Sequence, residues 1–172
     1  MFCAVELPHE VRAQLETHVA RLRKEIPDVA ASWSRVENIH LTLKFFGNVD
    51  VDRIEKISHA IDQAVKDFST FEIEVGKTGS FRTQVLWIGV SDPSEKLTAL
   101  HQRLGSEDRA FKPHLTIARI RRPEGARRLV NAHLQMQFEN VSVVVKEMVL
   151  FRSELSPKGS KYTAISRHSL SR

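Results

Sequence analysis

His40-Leu-Thr-Leu43 and His114-Leu-Thr-Ile117 repeat one pattern, an imidazole followed two residues later by a hydroxyl, each inside a run that alternates apolar and polar residues. Side chains on a strand point alternately to opposite faces. His40, Thr42 and Lys44 therefore share one face, and Ile39, Leu41, Leu43 and Phe45 the other. In the second run His114, Thr116 and Ala118 lie opposite Leu115 and Ile117. Two imidazoles suffice for acid and base work near neutral pH, because an unperturbed pKa of about 6.5 lets one ring be neutral while the other is charged. Hydroxyls on the same face can donate to the oxygens of an anion. A single His-x-Thr triplet is common; two copies with apolar second and fourth positions read as halves of one site.

The rest of the chain must bring those halves together. At 172 residues it fits a single domain of two packed halves spanning 1–172, long enough to bury a core without covalent staples. Its 41% hydrophobic and 27% charged content is that of a globular protein, which excludes disordered and fibrous classes. The first seven residues are apolar but lack a basic flank and meet Pro8 and Glu10, so they read as a strand and not as a leader. No run approaches a membrane span. The lone Cys3 has no disulfide partner and no companion for a thiolate metal site. A cytoplasmic location is expected. The net charge of +5 suits an anionic partner such as nucleic acid, and the densest basic cluster, Arg119, Arg121, Arg122, Arg127 and Arg128, follows the second motif directly.

Pattern places a strand over residues 2–7 and a helix on the stripe Val11, Leu15, Val19, Leu22 and Ile26, ended by Pro27. A hairpin of 31–36 and 39–46 carries the first motif. Asp50 or Asp52 caps a helix with the stripe Ile54, Ile57, Ile61, Ala64 and Val65. Strands follow at 71–77 and 85–90. Asp92 as cap with Pro93 as first helical residue opens a short helix ending near Gly105. Residues 111–120 form the second motif strand, Pro123 opens a helix through Leu134, and strands 141–151 and 162–170 close the chain around a Pro157/Gly159 turn. Strands mixed with helices between antiparallel neighbours make this an α+β fold, and two similar sheets facing each other would form a cleft with one motif on each floor. His9, His18, His59, His101 and His133 fall in helical patterns and read as surface residues, and His168 has no Thr two positions on. Tyr162, Phe46 and Phe81 are candidates to stack a base, with core packing the commoner role for strand aromatics; Trp33 and Trp87 read as core.

The chain resembles the RNA 2',3'-cyclic phosphodiesterases, also called 2'-5' RNA ligase-like proteins, of the two-histidine phosphoesterase superfamily. The resemblance rests on Ala4-Val-Glu-Leu-Pro8, Glu37-Asn-Ile-His-Leu-Thr-Leu-Lys-Phe-Phe-Gly47, Val85-Leu-Trp-Ile-Gly89, Phe111-Lys-Pro-His-Leu-Thr-Ile-Ala-Arg119, Leu150-Phe-Arg-Ser-Glu-Leu155 and Tyr162-Thr163. It implies a bilobal α+β fold, two antiparallel sheets with outer helices around a central cleft and pseudo-twofold symmetry. It implies hydrolysis of RNA 2',3'-cyclic phosphate ends to 2'-phosphomonoesters, on tRNA halves or oligonucleotides, without metal or other cofactor; a monomer is expected. His40 would be the proton donor and His114 the proton acceptor, though the sequence leaves those roles exchangeable. Thr42, Thr116 and Arg119 would hold the phosphate. Strict alternation turns Arg119 away from the two histidines, so a bulge or the strand's end must redirect it. The segment between Leu97 and Arg109 is shorter than the family's usual one, which bears on the cleft rim. Other readings are reversible 2'-5' RNA ligation, a non-catalytic RNA-end binder, and a metal site on the two histidines, for which neither motif offers a carboxylate or thiolate.

Overall fold

The computed structural model describes residues 1–105, 111–157 and 159–171. In chain order the elements are β1 (Phe2–Val5), α1 (His9–Glu25), β2 (Ala31–Trp33), a single 3-10 turn (Val36–Asn38), β3 (Leu41–Phe45), α2 (Val51–Val65), β4 (Phe71–Phe81), β5 (Val85–Ser91), α3 (Lys96–Arg103), β6 (His114–Ile120), α4 (Ala126–Gln135), β7 (Val141–Val145), β8 (Glu147–Ser156) and β9 (Gly159–Ser169). They build two antiparallel sheets, β3-β1-β8-β9 and β2-β6-β5-β4-β7. The α+β class with two sheets and outer helices is as the sequence suggests. Each motif strand pairs with a strand that is central in its sheet, β3 with β1 and β6 with β5. That correspondence is the twofold likeness of the two sheets.

The expected hairpin of 31–36 and 39–46 does not exist. β2 pairs with β6, with Ser32 opposite Arg119, whereas β3 pairs with β1 in the other sheet. The Val36–Asn38 turn lies between them, tied to the start of β9 by the Asn38 amide donating to the Ser160 carbonyl at 2.8 Å. The expected strand 141–151 is likewise two strands that part at Lys146, β7 running beside β4 and β8 beside β1. Pattern reports which residues are half-buried; it does not report which sheet buries them.

Two helix starts also differ. α3 begins at Lys96 and not at Pro93, because the Asp92 carboxylate reaches forward to accept from the backbone N–H groups of Ser94 (3.0 Å) and Leu97 (2.6 Å). It still satisfies an orphan donor of the first turn, but through an intervening turn. α4 begins at Ala126, after Gly125 at φ +71°, a conformation glycine adopts without strain; a Cβ there would also lie 2.7 Å from a Val29 methyl.

The larger of two buried clusters among the described residues, including Leu15, Leu22, Leu41, Ile61, Ile73, Leu86, Ile88, Leu115 and Ile117, draws on both sheets and on the helices. α2 packs on β8 and β9, α4 on β4 and α1, and α3 on β3. Among the described residues no helix is long and apolar enough to cross a membrane. The pattern places His18 and His133 on the surface, yet both are buried. They satisfy each other. His133 Nε2 donates to the carbonyls of Gly79 and Trp87, which leaves its Nδ1 to accept from His18 Nε2 at 3.0 Å. A polar pair inside a core is tolerated when its hydrogen bonds are made within it.

Burial, with His133 and Arg21 nearby, pushes the His18 pKa from 6.5 down to about 4, and burial also lowers that of His133. A folded-state value below the unfolded one means that the unfolded chain binds more protons between them. Stability from His18 is therefore present in full above pH 6.5 and is lost as pH falls toward 4, by roughly 3 kcal/mol. Denaturant midpoints should fall steeply over that window in the wild type and less steeply in His18→Gln. Parallel pH profiles would show that His18 is not what titrates.

Candidate active site

Both motif strands carry the same irregularity at the same place. In the β1/β3 ladder Ala4 faces Thr42 and Cys3 faces Lys44, which leaves Leu43 without a partner. In the β5/β6 ladder Trp87 faces Thr116 and Leu86 faces Ala118, which leaves out Ile117. The extra residue is the third after each histidine, and both Leu43 and Ile117 are buried in the core. A bulge resets the alternation, so the fifth residue after each histidine comes to the opposite face. This is the device that turns Arg119 into the cleft, opposite Val85. Two expectations fail for the same reason. Phe45 comes opposite Phe2, lines the cleft and is 70% exposed instead of joining Ile39, Leu41 and Leu43 in the core, whereas Ala118 is fully buried instead of lying beside His114 and Thr116.

The cleft between the sheets has a volume of about 1000 Å³ and contains His40, Thr42, His114, Thr116 and Arg119 in its lining. All five residues singled out from the sequence thus border one space. His40 lies just before β3, its Nδ1 donating to the Asn38 carbonyl at 2.7 Å, and His114 opens β6, its Nδ1 donating to the Lys112 carbonyl at 2.6 Å. In each case the acceptor is the carbonyl two residues upstream. A carbonyl can only accept, so it fixes the proton on Nδ1 and leaves Nε2 of the neutral ring as the bare, basic nitrogen. Among the described residues neither Nε2 has a hydrogen-bond partner.

Aromatic rings set the two imidazoles in place. His40 stacks on Phe2, with ring centroids 4.5 Å apart and planes inclined by 20°, and meets the edge of Tyr162 at 5.2 Å. Phe2, Ala4, Val149 and Phe151 form a small apolar cluster of their own beneath it, with Tyr162 packed against them. His114 meets Phe81 edge-on at 4.8 Å, and Trp87 lies 6.3 Å away. Gly79 is required here, because a Cβ would come within 2.1 Å of the Trp87 ring. Burial holds the His40 pKa below the ordinary histidine value, against the opposing pull of the Asn38 carbonyl.

Of the candidate stacking residues, Tyr162 and Phe81 line the cleft, while Phe46 packs against the core. Trp33 and Trp87 are partly buried, Trp33 against the core. Sequence reasoning misses Phe45, Phe111 and His101. His101 reads as a surface residue, yet its Nδ1 hydrogen-bonds to the carbonyl of Leu43, the bulged residue, at 2.6 Å, and its ring stacks on Phe111 at 4.2 Å. Helix α3 thereby braces the first motif strand. Lys44 and Lys112 join Arg119 as cations of the lining, which includes no carboxylate among the described residues. The remaining arginines of the basic cluster do not line it; Arg121 donates to Ser32, and Arg128 pairs with Asp28 at the surface. Among the described residues no three His, Cys, Asp or Glu side chains are grouped so as to hold a metal ion. Of the segment before the second motif, residues 106–110 lie outside the described residues.

A wall of cations and aromatics with two imidazoles of fixed tautomer suits an anionic, ring-bearing substrate that needs a proton moved at each side of one centre. Residues 7–157 match the family model of the 2'-5' RNA ligase superfamily. The chain is 32% identical to the RNA 2',3'-cyclic phosphodiesterase of Methanothermobacter thermautotrophicus, across 94% of each chain. It is 29% identical to the protein of that name from Thermotoga maritima, across 95% of this chain and 91% of the other. The crystal structure of TT0787 from Thermus thermophilus superposes with a TM-score of 0.75 at 27% identity, covering 98% of this chain and 96% of that one.

Replacing Phe2 by Ala should destabilise the fold by about 3–5 kcal/mol, the usual range for a buried Phe. With the stacked ring gone, water reaches His40 and its pKa should rise toward 6.5. An NMR titration of the imidazole protons checks this; an unmoved or lower value would mean that the Phe2 stack is not what depresses it.

Proposed function

The chain belongs to the 2'-5' RNA ligase superfamily, and from that premise we propose that it is an RNA 2',3'-cyclic phosphodiesterase that opens cyclic ends to 2'-phosphomonoesters by paired-histidine acid and base catalysis. The observation that carries this reading is the matched pair of imidazoles, each pinned through Nδ1 and each bordering the same cleft, whose lining includes no carboxylate among the described residues. His114 Nε2 takes a proton from the attacking water as its oxygen bonds to phosphorus. His40 gives a proton to the departing ribose 3'-oxygen, so the phosphate remains on the 2'-oxygen. Thr42 and Thr116 donate to the non-bridging oxygens, where charge builds in the transition state. Arg119 offers a planar fork of donors to the same group. No step requires a metal ion.

Burial favours the neutral form of His40 in the empty cleft. The phosphodiester monoanion supplies the opposite charge, so His40 gains its proton as substrate binds. The family description also favours a second reading, RNA joining, in which the same two groups run in reverse; assaying cleavage and joining on one pair of RNA halves separates the two.

His40→Ala and His114→Ala should each lower the rate on a cyclic-phosphate RNA by about 10²–10⁴, with the activity of the wild type persisting in chelator. Full activity in either variant would contradict the proposal. Loss of turnover in chelator would refute metal independence, and RNA binding without turnover in the wild type would instead mark an RNA-end binder. The pH profile carries a separate test. One of the two breaks reports loss of the His40 proton, so in kcat/KM, which reflects the free enzyme, it should lie below pH 6.5. In kcat, where bound anion opposes that loss, it should lie at higher pH. Coincidence of that break in the two profiles would contradict the assignment of His40 as acid.

A further inference from the structure

On the face of the four-stranded sheet that α2 covers, away from the cleft, lies a second ordered set of chemical groups. His168 is 2% exposed, and its Nδ1 donates to the Asp62 carboxylate at 2.6 Å. That contact leaves Nε2 as an acceptor, and the Ser166 hydroxyl lies 2.8 Å from it. Ser166 and His168 are two residues apart on β9, directly after a bulge that leaves Ile165 unpaired, and they face Asp62 on α2. The order carboxylate, imidazole, hydroxyl, with hydrogen bonds of 2.6 and 2.8 Å, is that of an activated serine: the base is within reach of the nucleophile and a third group orients it.

Ser166 is not sealed in. With Ser58 and Asp62 it lines an open groove of about 810 Å³ whose apolar wall includes Ile54, Ile165 and Val51, the last 83% exposed. The Ser58 hydroxyl donates to Ser166 Oγ at 3.1 Å, which puts a second hydroxyl beside the nucleophile at the same groove. A tie between α2 and β9 would need only the buried His168 to be satisfied; it would not need the hydroxyl to border a groove.

We propose that Ser166, His168 and Asp62 form a second reactive site, a serine nucleophile that accepts short apolar acyl groups from carboxylic esters. Ser166 Oγ bonds to the acyl carbon while its proton passes to His168 Nε2. The ester C–O bond then breaks, and the departing alcohol takes that proton. Water attacks the acyl-serine, gives one proton to His168 and releases the carboxylic acid, and His168 returns the proton to Ser166 Oγ. Bond making and breaking balance with ester and water as the only reactants. The site is independent of the cyclic phosphodiesterase reading.

Treating the protein with diisopropyl fluorophosphate tests this, because the same attack forms an Oγ–P bond, expels fluoride and stops there. Peptide mapping of the wild type should place the adduct on Ser166, with parallel loss of p-nitrophenyl acetate hydrolysis. Asp62→Asn presents an amide N–H to Nδ1 and drives the imidazole proton to Nε2, so labelling should slow by about tenfold or more. Ser166→Ala should abolish both labelling and ester hydrolysis, while turnover of cyclic-phosphate RNA stays within about twofold. An unlabelled Ser166 in the wild type, or labelling that Asp62→Asn does not slow, would overturn the proposal and leave the three residues as a structural tie.

Discussion

Everything at the cleft depends on one arrangement made twice: a histidine at the head of a motif strand whose Nδ1 proton is held by the carbonyl two residues before it. A hydrogen bond to the chain's own backbone is set by local geometry, so it survives motions that would loosen a contact between distant side chains. It removes the ambiguity of the imidazole, which otherwise presents either nitrogen as the base. The bulge three residues later is the second half of the device. It leaves Leu43 and Ile117 in the core, where alternation already places them, and brings the fifth residue after each histidine, Phe45 in one strand and Arg119 in the other, round to the cleft. One offers an aromatic face and the other a guanidinium, so the two walls of a near-symmetric cleft are chemically unlike.

The two sheets supply what a local device cannot, which is relative position. The chain passes between sheets four times, after β1, β2, β3 and β7, and the buried cluster draws on both. Burial has an electrostatic consequence where it reaches the site. His40, stacked on Phe2, is buried enough that its charged form is disfavoured. A bound anion opposes that effect, so protonation of His40 is linked to occupancy of the cleft.

The chemistry is more legible in the sequence than the topology. Alternation marks both motif strands and the two His-x-Thr pairs that border the cleft, and Arg119, at the wrong parity, calls for the bulge that the β5/β6 ladder contains. The same parity rule misplaces Phe45 and Ala118, because the bulges that move them leave no mark in an unbroken alternating run. Residues 31–36 and 141–151 show ordinary strand periodicity, yet strand pairing is decided by tertiary contacts, and both runs divide between sheets. His18 and His133 look like surface positions because each is polar; their burial follows from partners 115 positions apart in sequence and from two backbone carbonyls. His101 is hidden for a related reason, since its partner is the backbone of a bulge on another element.

If the two motifs work as one acid and base pair across a cyclic phosphate, the 3'-oxygen is the leaving group and the phosphate stays on the 2'-oxygen. The most direct measurement is the identity of the product formed in chelator from a short RNA ending in a 2',3'-cyclic phosphate, with 2'- and 3'-phosphate ends resolved. The 2'-phosphate alone is the predicted product. Formation of the 3'-phosphate, or no turnover, would contradict the paired mechanism.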